Sequence, residues 1–348
     1  MPFKNIDVSA NARGGSELMR DRLIAGLKAR GREDLLERFD FHNSRVRDFD
    51  SSRPSILLLH DLPGDPESEH LRQDGGERFK QLVFVSNWQF QQYQQYYGLN
   101  GTKCSIIPNA IERMDSTLLY RKGWKKPDRV RSAWTGAMRD SELLQEYRIA
   151  AGTFEDPIRL IYHTTPHRGL EILVPVFYEL YEELKSEGLY IHLDVFSSFS
   201  IYGWSERDAP YKQIFQMCHE HPGITYHGAK PNSVVREALE KAHIFAFPSI
   251  WPETSCIAMI EAMASSTMVV HSNLAALVET SGGTTRCYPF IQNKDDHAAA
   301  FYDHLATAIL DYRDGKAGFE MQRCQAVGEK HVVNTYVDQW ITLLDRLK

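Results

Sequence analysis

Short apolar runs alternate with amphipathic segments along the second half of the chain. Five of these runs are typical of buried strands and occupy residues 159–164, 191–196, 223–228, 243–248 and 267–272. Between them, apolar residues recur at helical spacing in segments such as GLEILVPVFYELYEELKSEG, NSVVREALEKA and TSCIAMIEAMASS. This alternation of strand and helix patterns predicts βαβ units around a parallel sheet.

The first half of the chain shows the same alternation with less regularity. A helix is predicted over residues 16–30, and NWQFQQYQQYYG predicts another helix with Ser86 as its N-cap. Strands are predicted at residues 55–61, 82–87 and 105–110. From about Asp295 onward the pattern is mostly helical. Two α/β lobes of this kind would place a ligand cleft between the carboxyl ends of their strands.

A weakly patterned segment, roughly residues 112–155, separates the two halves. Its stretch RKGWKKPDRVR carries six basic residues against the single acid Asp128, namely Arg121, Lys122, Lys125, Lys126, Arg129 and Arg131. A run of like charges is usually a solvated surface, and we expect one here. A loop that faces an anion or a membrane surface is the alternative.

Composition sets the broad class of the protein. A chain of 348 residues suggests two domains. Its net charge of -6 argues against a surface that binds nucleic acid over the whole molecule. Five scattered cysteines, without metal-ligand spacing, favour free thiols over a disulfide framework or a zinc site. With no secretory signal pattern and no apolar run of about 20 residues, we expect a cytoplasmic protein, with peripheral contact to a membrane left open.

Two glutamates in FPSIWPETSCIAMIEAMASSTMVV raise a chemical question. Glu253 lies where a predicted strand gives way to a helix that Thr254 or Ser255 could cap, and it could serve as an anion at the helix start. Glu261 falls among apolar residues of that helix, where a charge is costly unless it is hydrogen-bonded. Either a ribose or a structural Arg or Lys would satisfy it, and the residues alone leave both open.

The whole stretch resembles the nucleotide-sugar-binding motif of retaining glycosyltransferases of family 4, which have the GT-B fold. The resemblance rests on Pro248-Ser249, on the E-x7-E spacing of Glu253 and Glu261, and on EAMA at residues 261–264. Cys256 departs from it, standing where the family often has Gly, and Ser266-Thr267-Met268 replaces a frequent Gly-x-Pro.

The resemblance implies roles for these residues. Glu253 would contact hydroxyls of the donor sugar, and Glu261 would hold the ribose. The amides of Thr254, Ser255 and Cys256 would help to hold the sugar and the diphosphate.

Four further segments resemble the family in the same order along the chain. RGGSE at residues 13–17 would bring Gly14 and Gly15 close to a phosphate. LLHD ends a predicted strand with the candidate catalytic residues His60 and Asp61. His60 could orient or deprotonate an acceptor hydroxyl, or could be an ordinary loop histidine. A third segment, VSNWQFQQY followed by KCSIIPNAI, places Asn109 at a family position.

The fourth segment, YHTTPHRGL, would carry the chemistry of the leaving group. A site without a metal must neutralise a departing diphosphate with cations and helix N-termini, and Arg168 is the candidate. Many relatives have a second Arg where this chain has His163. Thr164, Thr165 and the glycine amides could make up part of that difference.

The resemblance implies an α/β protein with the GT-B fold, in which two Rossmann-like lobes with parallel sheets face a central cleft. We expect an acceptor-binding lobe over residues 1–155 with a reduced sheet, and a nucleotide-sugar-binding lobe over residues 156–320. The remaining residues, 321–348, should form a helix with Tyr336 and Trp340 that packs back on the first lobe.

The predicted activity is transfer of a sugar from a nucleotide sugar, such as a UDP- or GDP-sugar, to an acceptor hydroxyl with retention of configuration. The expected step is a front-face substitution that needs no metal or other cofactor and no protein nucleophile. The acceptor would be a glycan, a lipid-linked or a small molecule, and nucleic acid is not expected as a partner. A nucleotide-sugar epimerase, a phosphorylase and a non-catalytic nucleotide-sugar-binding scaffold are the alternatives, and the oligomeric state is not predicted.

Overall fold

Parallel β-sheets form the centres of two successive lobes. The computed structural model describes residues 15–44, 52–99, 101–115, 117–122 and 151–347. Gly14 and the basic residues Lys125, Lys126, Arg129 and Arg131 therefore lie outside the described residues.

The described part of the first lobe holds a four-stranded parallel sheet in the order β1-β2-β3-β4. Its strands are β1 (Asp40–Asn43), β2 (Ser55–Leu59), β3 (Gln81–Phe84) and β4 (Cys104–Ile106). Its helices are α1 (Gly15–Ala29), α2 (Glu33–Arg38), α3 (His70–Asp74) and α4 (Asn87–Tyr97). The short helix α5 (Leu118–Arg121) follows in the chain, but its Leu118 and Leu119 are buried in the core of the second lobe. The predicted strands at 55–61, 82–87 and 105–110 are present in shorter form.

The second lobe holds a six-stranded parallel sheet. Its strands are β5 (Ile158–Tyr162), β6 (Ile191–Val195), β7 (Ile224–Tyr226), β8 (Ile244–Phe247), β9 (Met268–Ser272) and β10 (Arg286–Tyr288). They lie in the order β7-β6-β5-β8-β9-β10, which is the doubly wound order of a dinucleotide-binding fold. The strand order therefore reverses between β5 and β8, where this fold binds its ligands.

Helices follow most strands of this lobe and cover its sheet. They are α6 (Leu170–Ser186), α7 (Lys212–Glu220), α8 (Asn232–Leu239), α9 (Ile257–Ala264), α10 (Leu277–Ser281), α11 (Lys294–Arg313) and α12 (Gly318–Gly328). A last helix, α13 (Val333–Arg346), ends the described chain. The mostly helical pattern predicted from Asp295 is confirmed.

The helix caps confirm one sequence prediction and contradict another. Ser86 caps α4 as predicted, because its hydroxyl accepts a hydrogen bond from the Gln89 amide at 3.0 Å. The predicted capping of α9 by Thr254 or Ser255 is wrong, since Cys256 is the N-cap residue and makes no capping hydrogen bond. The Thr254 hydroxyl instead donates to the His60 carbonyl of the first lobe at 2.7 Å.

The C-terminal helix α13 returns to the first lobe, as predicted. Tyr336 and Trp340 are buried in the core of that lobe. Helices α1 and α13 pack so closely that a Cβ added at Gly26 would lie 2.1 Å from Val337 Cγ2. At the start of α13 the two chain segments that connect the lobes pair with each other: the Ile111 amide donates to the His331 carbonyl at 2.7 Å, and the Val333 amide donates to the Ile111 carbonyl at 3.1 Å.

Lys122 contradicts the prediction of a solvated basic segment. Its side chain is buried, and its ammonium group donates to the carbonyls of Leu239 and Ser265 and to the Thr267 hydroxyl at 2.7–3.0 Å. Burial lowers the pKa of Lys122 well below its ordinary value, but three acceptors match the three hydrogens of an ammonium group. The chain is thus fixed to the second lobe at Lys122.

None of the described helices has the length and apolar character needed to cross a membrane.

Candidate active site

The candidate site lies where the carboxyl ends of β5 and β8 meet. The loop after β5 carries His163, Thr165 and Arg168, and the loop after β8 leads to Glu253. The two loops approach closely at Gly169, which has φ +120, and a Cβ there would lie 2.1 Å from the Pro248 carbonyl oxygen. Only glycine fits such a backbone and such a contact, so Gly169 permits the two loops to meet.

Arg168 and Glu253 form an ion pair in this site. Arg168 Nη1 lies 2.8 Å from Glu253 Oε1, and the two side chains are 23% and 5% exposed. Burial raises the pKa of Glu253, and Arg168 only partly offsets that shift. Burial also lowers the pKa of Arg168, but Glu253 and neighbouring groups shift it upward overall. With the groups in direct contact, we take the pair as ionised at neutral pH.

Glu261 projects from α9 and is buried, with 5% of its surface exposed. Its Oε1 atom has no hydrogen-bond partner among the described residues. Burial raises its pKa, and the charges of Arg22 and Arg236 only partly offset the shift. A buried carboxylate oxygen without a partner is costly, and hydroxyl groups of a ligand would satisfy it.

His163 adds no second positive charge to the site. Its Nε2–H donates to the Ala258 carbonyl at 3.0 Å, and its Nδ1 is buried without a partner. Burial lowers the pKa of His163 to about 4, so the ring is neutral at pH 7. Thr165 Oγ1 is also buried without a partner, and Thr164 is half-buried beside it.

The residues after Glu253 lead into α9, which begins at Ile257. Ser255 is half-buried, and the Cys256 side chain is buried in the core of the second lobe. Burial raises the pKa of the Cys256 thiol, which is therefore protonated at neutral pH. The Thr254 carbonyl accepts a hydrogen bond from Ser86 Oγ at 2.6 Å, which joins this turn to the first lobe.

Four predicted site residues belong to the described part of the first lobe. Gly15 faces α9 so closely that a Cβ there would lie 2.9 Å from Ile257 Cδ1. His60 follows β2, and burial lowers its pKa to about 4. Buried Asn109 lines a small pocket with His60, and its Oδ1 has no partner among the described residues. The carbonyl of Asp61 accepts hydrogen bonds from Gln89 Nε2 and the Tyr93 hydroxyl.

Three features of the cleft were missed by the sequence analysis. Arg22 on α1 is buried and lies within electrostatic reach of Glu261. Glu279 on α10 accepts hydrogen bonds from the Asn87 and Trp88 amides at 2.9 and 3.0 Å, across the lobes. The third feature is a cluster of aromatic rings beside Arg168. Of the three features, only this cluster could have been found from the sequence, because aromatic residues are frequent between positions 196 and 211.

Among the residues that the structure describes, no group of three or more His, Cys, Asp or Glu side chains is arranged to hold a metal ion.

Comparisons with known proteins place this geometry in a family context. Residues 166–311 match the model of glycosyl transferases group 1. A search of curated proteins gives no sequence match.

Solved structures resemble the chain over most of its length. A glycosyltransferase from Rickettsia africae ESF-5 is 13% identical with a TM-score of 0.59, covering 98% of this chain and 84% of that protein. A UDP-forming α,α-trehalose-phosphate synthase from Burkholderia vietnamiensis is 12% identical with a TM-score of 0.61, covering 97% and 79%. HepE from Anabaena, in complex with UDP and glucose, is 15% identical with a TM-score of 0.58, covering 84% and 72%.

At this level of identity, the similarity to solved structures shows the fold, which is GT-B. The matched segment contains Arg168, Glu253 and Glu261. The chain as a whole therefore has the GT-B fold, and its residues 166–311, which carry the candidate site, match the model of the glycosyl transferases group 1.

Proposed function

We propose that this protein transfers a sugar from a nucleoside-diphosphate sugar to an acceptor hydroxyl with retention of configuration. One observation carries the proposal. The Arg168–Glu253 pair, with Glu253 buried and Arg168 partly buried, and the unpartnered carboxylate oxygen of Glu261 lie at the reversal of strand order in the second sheet. A cation and two carboxylates there match a ligand with a diphosphate and two sets of sugar hydroxyls.

In this proposal each side chain holds one part of the donor. Glu261 binds the ribose hydroxyls, Glu253 binds hydroxyls of the transferred sugar, and Arg168 contacts the diphosphate. Because Glu253 neutralises part of the Arg168 charge and His163 is neutral, backbone amides supply much of the remaining stabilisation. Those amides belong to residues 254–256 at the start of α9 and to Gly14 and Gly15.

The proposed step breaks the bond between the anomeric carbon and the phosphate oxygen while the acceptor oxygen approaches from the same face. The acceptor proton passes to the departing phosphate oxygen. Cys256 supplies no nucleophile because its thiol is buried and protonated. His60, with a pKa of about 4, is neutral at pH 7 and is suited to orient the acceptor hydroxyl rather than to remove its proton.

UDP is the first nucleotide to test, because HepE was solved with UDP and glucose and the trehalose-phosphate synthase is UDP-forming. A thermal-shift panel of UDP, GDP, ADP and TDP would identify the base. A nucleotide at about 100 times its dissociation constant adds about 2.7 kcal/mol of apparent stability. Glu261→Ala should abolish most of that shift, while Glu187→Ala, on the exposed end of α6, should leave it unchanged. An equal shift in both variants would contradict the assignment of Glu261.

The neutral His163 favours one alternative, a scaffold that binds nucleotide sugar without turnover. Release of nucleoside diphosphate from the identified donor, with and without a panel of acceptors, separates the two. Transfer of the sugar to an acceptor supports the proposed function. Binding without release supports the scaffold, and conversion of the donor to its isomer would indicate an epimerase.

Turnover should be independent of metal, since the proposed site balances the diphosphate with Arg168 and backbone amides. Activity in the presence of EDTA should equal activity with added magnesium or manganese. Loss of activity with EDTA that is restored by magnesium would refute this part of the proposal.

A further inference from the structure

Aromatic side chains surround the turn that carries Arg168. The loop between β6 and α7 folds over this turn, and its Phe199 ring stacks on His167 with centroids 5.1 Å apart and planes at 16°. On another side, His167 meets the edge of Trp251 at 4.7 Å. In the same loop, Tyr202 packs on Trp204 at 5.2 Å. The two groups of rings are connected through the chain, because Phe199 and Tyr202 lie in the same 3-10 turn beside the candidate site.

Two members of this cluster are open to solvent. Trp251 is 40% exposed and Tyr202 is 36% exposed, whereas Phe199 is 9% exposed. Large aromatic surfaces that remain exposed beside a buried ion pair are candidates for binding, because leaving them in water has a cost that a ligand removes.

The position of Tyr202 places it in the cleft. Its hydroxyl is within electrostatic reach of Arg168 and Glu253 on the second lobe and of Glu17 and Asp61 on the first. Tyr202 is therefore close to charged groups of both lobes and to the Arg168–Glu253 pair.

The chemistry of this place favours a sugar ring as its ligand. A pyranose has C–H faces that pack on aromatic rings and hydroxyl edges that donate to carboxylates. Tyr202 lies within electrostatic reach of the carboxylates of Glu17, Asp61 and Glu253, and Trp251 contacts His167, the neighbour of Arg168.

The nucleotide base is not the ligand that fits here. In the proposed donor position, Glu261 binds the ribose and Glu253 binds the transferred sugar. Trp251 comes two residues before Glu253 in the chain. Its ring also contacts His167, the neighbour of Arg168, so Trp251 lies beside the groups proposed to hold the transferred sugar and the diphosphate.

We propose that Trp251 and Tyr202 form a stacking platform for the sugar ring of a carbohydrate acceptor, an inference that rests on the proposed function. The acceptor class is then a saccharide rather than a lipid or an apolar small molecule. Both residues act as specificity-determining residues through contact with the acceptor ring.

Saturation-transfer NMR on the full chain tests this platform without requiring turnover. The probes are methyl α-glucoside, methyl α-mannoside, methyl α-galactoside and maltose, each with UDP present and, in a second series, GDP. The variants are Trp251→Ala, Trp251→Phe and Tyr202→Ala. The matched control is Phe154→Ala, which removes an aromatic ring that is 73% exposed and packs on Tyr190 instead.

We expect at least one glycoside to receive saturation at its ring protons in the wild-type protein. Trp251→Ala and Tyr202→Ala should each weaken its binding about three- to tenfold. Trp251→Phe should keep part of the affinity, Phe154→Ala should keep all of it, and nucleotide affinity should change less than twofold in every variant. That last measurement also shows that the variants are folded.

Two outcomes overturn the inference. One is that no glycoside binds the wild-type protein, and the other is that the Trp251 and Tyr202 variants bind it as the wild type does. If the wild type binds no nucleotide while the platform variants still lose glycoside binding, the inference stands and the proposed function fails.

Discussion

At the scale of single residues, the site is made of groups that are costly to bury. Glu261 is the clearest case, because its buried Oε1 has no partner among the described residues. Such a group lowers the stability of the unliganded protein and contributes when a ligand binds, a common trade-off at functional sites. Replacing the Glu261 carboxylate should therefore raise the stability of the unliganded protein while it weakens ligand binding.

Glu261→Gln should raise the free energy of unfolding of the unliganded protein at neutral pH by about 1–3 kcal/mol. A carboxyl whose pKa is raised by folding binds protons more tightly in the folded state. The free energy of unfolding therefore falls as the pH rises from 4.5, the ordinary pKa of a glutamate, through the raised pKa of Glu261. Urea unfolding at several pH values should show this dependence flattened in Glu261→Gln. A variant less stable than the wild type at neutral pH would contradict the prediction.

Arg168→Gln should have the opposite effect on stability, because it leaves Glu253 buried without its partner. We expect a loss of about 3 kcal/mol in urea unfolding and a fall in sugar transfer of about a hundredfold or more. The double variant Arg168→Gln, Glu253→Gln is the control, since it removes the unpaired charge. It should recover most of the stability and none of the activity, whereas equal stability of all three proteins would show that the ion pair is unimportant.

At the scale of elements, helix α4 of the first lobe begins against Glu279 of the second. The first amides of a helix lack partners within it, and a carboxylate there gains from both the hydrogen bonds and the helix dipole. Glu279 also accepts from Asn87 Nδ2 at 2.8 Å. Together with the Ser86 and Thr254 hydrogen bonds, this contact joins the lobes beside the candidate site.

Glu279→Ala should shift the protein toward a more open arrangement of its lobes. The loss of an exposed capping carboxylate amounts to about 1 kcal/mol, or about a fivefold change in the balance between closed and open forms. Solution scattering should show a larger radius of gyration, and nucleotide binding should weaken. Glu187→Ala is the matched control, and an unchanged radius of gyration in Glu279→Ala would count against the closing role.

The strands show how much of the fold could be predicted from the sequence. Strands such as β5, β8 and β9 are mostly apolar and almost wholly buried, so their patterns predicted them well. The strands β1 and β10 were missed because DFHN and RCY are short, polar and only partly buried. Contacts between lobes, such as that of Glu279, leave no periodic pattern because they depend on how distant segments meet.

Two single residues show the same limit. Ser266 has φ 55, in the left-handed region, which explains why Gly is frequent at this position in the motif that the chain resembles. Lys122 was assigned to a solvated surface because a charge run gives no sign of which member turns inward. Only the three acceptors around its ammonium group identify it as buried.

At the scale of the whole molecule, the end of the chain completes the first lobe. Trp340 is 1% exposed and packs with Tyr336 and Phe41 in the core of that lobe. The first lobe is therefore built from both ends of the described chain, and its stability depends on α13.

Trp340→Ala should destabilise the first lobe by about 3–5 kcal/mol, because it removes a fully buried aromatic ring. Scanning calorimetry should show a lower first transition, while the transition that responds to added nucleotide stays in place. Phe154→Ala, which removes an exposed ring, is the control. A uniform shift of both transitions would indicate that the two lobes unfold as one unit.

The pairing of the two connecting segments at Ile111 and Val332 has a mechanical consequence. Sliding one segment past the other would break the hydrogen bonds between them, whereas bending both segments together at this pairing would keep those bonds. The lobes should then separate mainly by a hinge rotation about these paired segments. Glu253, Arg168 and the aromatic platform would be uncovered together in a single movement, so that donor and acceptor enter, and the products leave, by the same opening.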